Sequence, residues 1–150
     1  MILNEKIDYK NIDCTKTYTS PFRMITDEDI SQFLILTGLK NPIFTDKNFA
    51  EQHSLGWRLV PAPLLIGIAI GLTDSLISGT VKAVVEIEKA NFIKPVKVLD
   101  TIQVKTQAKF VEDEKGDKKR GLGLLIHKIY NQKNSLVYTL NRKLIFLDMK

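Results

Sequence analysis

The sequence predicts an α+β domain in which one long antiparallel sheet curls round a single buried helix. Three features predict it. The run Leu64-Leu65-Ile66-Gly67-Ile68-Ala69-Ile70-Gly71-Leu72 is apolar almost all round, and a helix without a polar face must be wrapped by other structure. From Thr80 onward the apolar period changes to two. Short turns separate the alternating segments, so neighbouring strands should pair antiparallel. At 150 residues, 44% hydrophobic and 26% charged, the chain has the size and composition of one globular domain.

Residues 1–16 read as a polar, extended lead-in. Thr17 to Met24 suits a short first strand, with Pro21 marking an edge or a bulge. Thr26-Asp27-Glu28-Asp29 has the form of a capping box, and Ile30, Phe33, Leu34 and Thr37 follow at helical spacing. Gly38 is the natural stop. Asn41-Pro42 is a turn dipeptide. Thr45 or Asp46 caps a second, short helix ending near His53, with Phe49 and Ala50 facing inward. Leu55 to Arg58 is a connector.

Pro61 and Pro63 suit the first turn of the long helix, where a missing N–H costs little. That helix runs to about Ile77. Gly67 and Gly71 lie four apart, which implies close packing on one side, under the sheet or across a two-fold interface. In the strands, Val81, Ala83, Val85 and Ile87 alternate first, and Phe92 to Val96 breaks the pattern. Ile102, Val104, Thr106, Ala108 and Phe110 alternate next. Glu114 to Arg120 is a hairpin tip, Leu122 to Tyr130 a third strand, Asn131 to Asn134 a turn, and Leu136 to Leu147 a fourth strand.

Composition limits the function. The N-terminal residues lack an apolar stretch long enough for a signal peptide. The longest apolar run falls short of the roughly 20 residues that span a bilayer. The chain is expected to be cytoplasmic, with no membrane and no nucleic-acid partner. Its net charge of +5 is by itself compatible with nucleic acid, an anionic membrane surface or a polyanionic small molecule such as coenzyme A, but the basic residues are scattered. The dense basic run Lys115 to Arg120 reads as a solvated turn, with a phosphate or polymer contact as the alternative. Cys14 is the single cysteine, and His53 and His127 lack ligand spacing, so no metal is expected. Cys14 has no basic neighbour except Lys16 to activate it as a nucleophile.

These pieces together resemble the MaoC-like dehydratases, the hot-dog-fold group that includes the (R)-specific enoyl-CoA hydratases. The resemblance covers Thr26 to Leu147. It rests on Thr37-Gly38-x-x-Asn41-Pro42-Ile43-x-x-Asp46, Phe49-Ala50, Val60-Pro61-Ala62-Pro63, Phe92-Ile93-Lys94-Pro95-Val96, Asp100-Thr101-Ile102 and Tyr130-Asn131-Gln132. In the hydratases the loop reads Gly-Asp-x-Asn-Pro-Ile-His, and its Asp and His act as general base and acid on the thioester substrate. Here the corresponding positions are Leu39 and Phe44, and neither side chain moves a proton. The family also aims an amide of the buried helix at the thioester carbonyl. Here Ala62, Leu64 and Leu65 keep an N–H, and Pro63 has none.

The resemblance is closer to the degenerate half of those hydratases that pair a catalytic hot dog with one lacking the dyad. Such halves carry an aromatic residue at the His position and a proline-containing run before the helix, as Phe44 and Val60-Pro61-Ala62-Pro63 do here. It implies a coenzyme A thioester, or an acyl carrier protein thioester, held near Leu39, Asn41, Phe44, Ala62 and Leu64, with no further cofactor. It also implies a homodimer, or a heterodimer with a catalytic hot-dog subunit, the sheets joined edge to edge. Asn41 and Pro42 more naturally shape the loop than touch a ligand. One alternative is a working hydratase that uses Asp46 or His53, although Asp46 also reads as a helix cap. Another is a non-enzymatic acyl-CoA sensor or assembly protein.

Overall fold

The computed structural model describes residues 6–53, 58–110 and 121–147. Most of the expected connector before Arg58, and the hairpin tip with its basic run, lie outside these residues. The sheet runs in the order β1 (Tyr18–Thr19), β4 (Thr101–Phe110), β5 (Leu122–Asn131), β6 (Leu136–Phe146), β3 (Val81–Phe92). A further two-residue strand, β2 (Arg23–Met24), also pairs with β4. Every pairing is antiparallel. The single strand expected over Thr17 to Met24 is therefore split at Pro21, which has no N–H to give the ladder.

Helix α1 (Asp27–Thr37) starts at a true capping box: Thr26 accepts from the Asp29 amide, and the Asp29 carboxylate accepts from the Thr26 amide. It stops at Gly38, whose φ of +68° is the left-handed conformation glycine adopts without steric cost. Asn41-Pro42 opens a one-turn helix, α2 (Pro42–Thr45), where the sequence predicted only a turn. Helix α3 (Lys47–His53) buries Ala50. Phe49 does not face inward as expected. It is 39% exposed, and its ring lies 4.4 Å from that of His53.

Helix α4 (Ala62–Thr73) lies on the concave side of the sheet. It is shorter than predicted: Asp74–Leu76 continues as a 3-10 turn. The Thr73 hydroxyl turns back onto the Ala69 and Ile70 carbonyls at 3.0 Å. The wrapping is one-sided. Leu65, Ile68, Ala69 and Thr73 are buried, but Pro63, Gly67 and Gly71 face outward. A Cβ at either glycine would meet nothing within 4 Å, so the glycines do not pack under this chain's own sheet.

The alternation expected in β3 is also overturned. Most of its residues are exposed on both faces, including Val84, Val85 and Ile87. Its pairing with β6 shifts register three times, and Lys89 takes a φ of 51°. As an edge strand, β3 has neighbours on one side only. In β4 the expected alternation holds from Ile102 to Ala108, whereas Phe110 is exposed.

The core forms two clusters. One joins α1, the start of α4 and the sheet through Ile25, Ile30, Leu65, Ile68, Val104, Ile129 and Leu140. The other holds Leu76, Ile77, Ala108, Leu125, Leu144 and Phe146, together with Ile7. The lead-in is thus partly structural: Ile7 is fully buried, and its carbonyl accepts from the Thr80 hydroxyl at 2.7 Å.

A polar layer lies where the clusters meet. On three neighbouring strands Thr106, His127 and Arg142 each fall between one residue of either cluster. Arg142 Nε donates to His127 Nε2 at 3.0 Å, and its Nη2 donates to the Thr73 hydroxyl at 3.0 Å. A guanidinium only donates, so His127 Nε2 must be unprotonated and Nδ1 carries the hydrogen. Nδ1 then donates to Thr106 Oγ1 at 2.8 Å. Burial, and next the charge of Arg142, push the His127 pKa down to about 3. Burial lowers that of Arg142 to about 10, against the pull of Asp74 and Tyr138, so it stays cationic near neutrality.

Candidate functional site

The loop between α1 and α4 is built from local rules. Asn41 caps α2 by accepting from the Ile43 amide at 3.1 Å. Asp46 caps α3 by accepting from the Phe49 amide at 3.0 Å. The Asp46 carboxylate is therefore used structurally. Asp46→Ala is expected to cost about 1 kcal/mol of stability, measured by urea unfolding, as for other lost N-caps.

A long-range clamp fixes this loop. Arg58 donates from Nε to the Phe44 carbonyl at 3.3 Å and pairs with Asp27 at 2.7 Å. It also reaches the Ser31 hydroxyl, so it ties α2 to the first turn of α1. The segment after it is held by the strand that leaves β3: Val60 N donates to Val96 O, and Leu59 bridges Lys97. This pairing brings Phe92 to Val96 against the start of α4.

The result is a cavity of about 320 Å³. It is lined by Phe44, Leu59, Val60, Ala62 and Leu65 together with Phe92 to Val96. Among the described lining residues the only ionisable side chain is that of Lys94. The backbone donors are also few. Leu64 N and Leu65 N both donate to the Pro61 carbonyl, at 3.0 and 3.2 Å, and Pro63 has no N–H. Ala62, the first helical residue, keeps the N–H that the helix itself does not use. The cavity can thus take an apolar group, and the first residue of the helix, Ala62, is among its lining residues.

The residues expected at the site divide. Phe44 and Ala62 line the cavity. Leu39 packs on the core cluster, and Leu64 lies in a separate groove against Phe33, Ile35 and Leu36 of α1. Asn41 shapes the loop. His53 is exposed beside Phe49 and is not among the lining residues. Lys94 and Arg58 were not singled out from the sequence. Lys94 lies within the Phe92 to Val96 motif, which was a visible signal. Arg58 sits in a connector and gave none. No group of three or more potential metal ligands occurs among the described residues. Among these residues, too, no helix is long and apolar enough to cross a membrane.

Comparison with known proteins agrees with this architecture. Residues 10–127 match the model of the MaoC like domain. The chain is 34% identical over 101 residues to Protein MaoC of Klebsiella aerogenes, a match covering 67% of this chain and 30% of that protein. Among solved structures, a monoamine oxidase regulatory protein from Archaeoglobus fulgius superposes with a TM-score of 0.84 at 28% identity, covering 97% of this chain and 98% of that one. The (R)-hydratase PhaJ1 of Pseudomonas aeruginosa gives 0.76 at 16% identity, over 94% and 86% of the two chains. A chain of the HadBC (3R-hydroxyacyl-ACP dehydratase) complex of Mycobacterium tuberculosis gives 0.71 at 15% identity, over 86% and 94%. The last two likenesses show the fold. With the family model matching most of its length, this chain belongs to the MaoC-like family of hot-dog-fold proteins.

Proposed function

We propose that this chain binds an acyl thioester in the cavity at the start of α4, performs no proton transfer of its own, and pairs with a catalytic hot-dog subunit. The observation that carries this reading is the lining: apolar side chains and Lys94, with Ala62 of the helix start among them and no carboxylate or imidazole among the described lining residues. Hydration of a double bond needs a positioned base and acid, and their loss costs orders of magnitude in rate. Apolar walls are still enough to hold an acyl group. The pairing follows from β3, whose outer edge is unpaired and whose apolar side chains Val84, Val85 and Ile87 are exposed among the described residues. The HadBC complex offers a precedent within the fold for assembly from hot-dog subunits.

The test is equilibrium binding of a short 2-enoyl-CoA to the purified chain, with its absorbance followed for consumption. Saturable binding without turnover is expected. Lys94→Glu, which reverses the charge at the cavity wall, should weaken binding by about tenfold through the phosphates of the ligand. Affinity purification from the native host should bring down a second hot dog that carries the Asp and His. Turnover by the chain alone, abolished by His53→Ala or Asp46→Ala, would establish the working-hydratase reading instead. Binding by a self-dimer that recruits nothing would favour a sensor.

A further inference from the structure

The convex face of the sheet carries a second recess, away from the acyl cavity. Lys105 on β4 and Lys128 on β5 are direct partners in the antiparallel register. Both point away from the core, since their neighbours Val104, Thr106, His127 and Ile129 are buried. Like charges directly opposite one another destabilise a sheet, and their Cβ atoms stand only about 5 Å apart. Neither lysine has a carboxylate partner among the described residues. By contrast, Lys143 on β6 pairs with Glu86 at 2.7 Å and Glu88 at 3.4 Å. The Lys105 ammonium lies 4.7 Å from the centre of the Tyr130 ring. The two lysines border a cleft of about 150 Å³ with Thr17, Gln107, Ile126 and Tyr130. Gln107 already donates to the Thr17 hydroxyl at 3.3 Å, which leaves that hydroxyl its own hydrogen to give.

We propose that this cleft binds the phosphate group of a phosphorylated small molecule. The two ammonium groups would flank the phosphate and remove their mutual repulsion, and the Thr17 and Tyr130 hydroxyls supply further donors. The cleft is small, about 150 Å³, which suits a single anionic group better than a broad acidic surface. It lies on β4 and β5, two strands in from the β3 edge, so a partner joined at that edge leaves it open. The inference is independent of what the acyl cavity binds.

Pyrophosphate is the probe, titrated at constant ionic strength against chloride, with thermal midpoint and backbone amide NMR shifts as readouts. Wild-type protein should show a saturable rise in midpoint, half-complete at roughly millimolar concentration, with shifts centred on Thr17, Lys105, Lys128 and Tyr130. Lys105→Gln and Lys128→Gln should each weaken the response about tenfold. Without pyrophosphate, each variant should melt at or above the wild-type temperature, because the repulsion is gone. Four results would overturn the proposal: no saturable effect, an equal effect in the variants, variants that melt well below wild type without ligand, or shifts centred elsewhere. Saturable binding to phosphatidate-containing vesicles or to polyglutamate, with none to pyrophosphate, would also overturn it. The cleft would then be a lipid-headgroup or an acidic-protein contact.

Discussion

Arg142→Ala should lower the unfolding free energy by about 3–5 kcal/mol, the cost of truncating a large buried side chain whose polar partners stay behind. Arg142 is 1% exposed and reaches both the sheet and the central helix through His127 and Thr73. Removing it opens a void between the two apolar clusters and strands the acceptor at His127 Nε2. Arg142→Met keeps most of the volume and should cost less, about 1–3 kcal/mol for the acceptors left unpaired. Urea unfolding of both variants separates the contributions. A loss below 1 kcal/mol for the alanine variant would mean that the layer is tolerated and does not hold the clusters together.

Stability should also fall steeply in mild acid, with His127 as the cause. Its pKa is about 3 in the folded protein, against an ordinary value of 6.5. Below pH 6.5 the unfolded chain takes up a proton at this site and the folded chain does not. Unfolding is then favoured by up to about 1.4 kcal/mol for each further pH unit, until the folded form also protonates near pH 3. Above pH 6.5 the group adds no slope. His127→Gln removes this proton uptake, so its stability should decline about one proton less steeply between pH 6 and pH 4. Urea midpoints at half-unit pH intervals give the comparison. Parallel curves for the two proteins would show that His127 is not held neutral.

Much of this architecture could be read from the sequence because it is local. The cap at Thr26, the stop at Gly38 and the cap at Asp46 each depend on residues within four positions. The inward face of β4 was visible as a period of two. The polar layer was not visible, because it depends on strand register. Thr106 looked like one more member of an alternating row, Arg142 fell unmarked within the fourth strand, and His127 stood out only for lacking ligand spacing. The candidate site was legible in part for the same reason. Phe44 and Ala62 were expected together from the family pattern, and they share a cavity. The side chain of Leu64 lies in the α1 groove, because two residues along a helix from Ala62 are a turn of about 200°. The clamp from Arg58 spans 14 residues to Phe44 and 31 to Asp27, and no local signal marks it.

The three register shifts in β3 have a consequence for protein quality in the cell. A long, regular and partly apolar strand edge would accept almost any other strand and would seed aggregates. Each shift turns the backbone donors and acceptors out of line with a flat ladder, and the left-handed Lys89 lies within the third of them. A flat strand can match such an edge only over a few residues at a time, whereas a partner with compensating irregularities matches it along its length. Selectivity for the correct neighbour is thus written into main-chain geometry, where surface substitutions leave it intact.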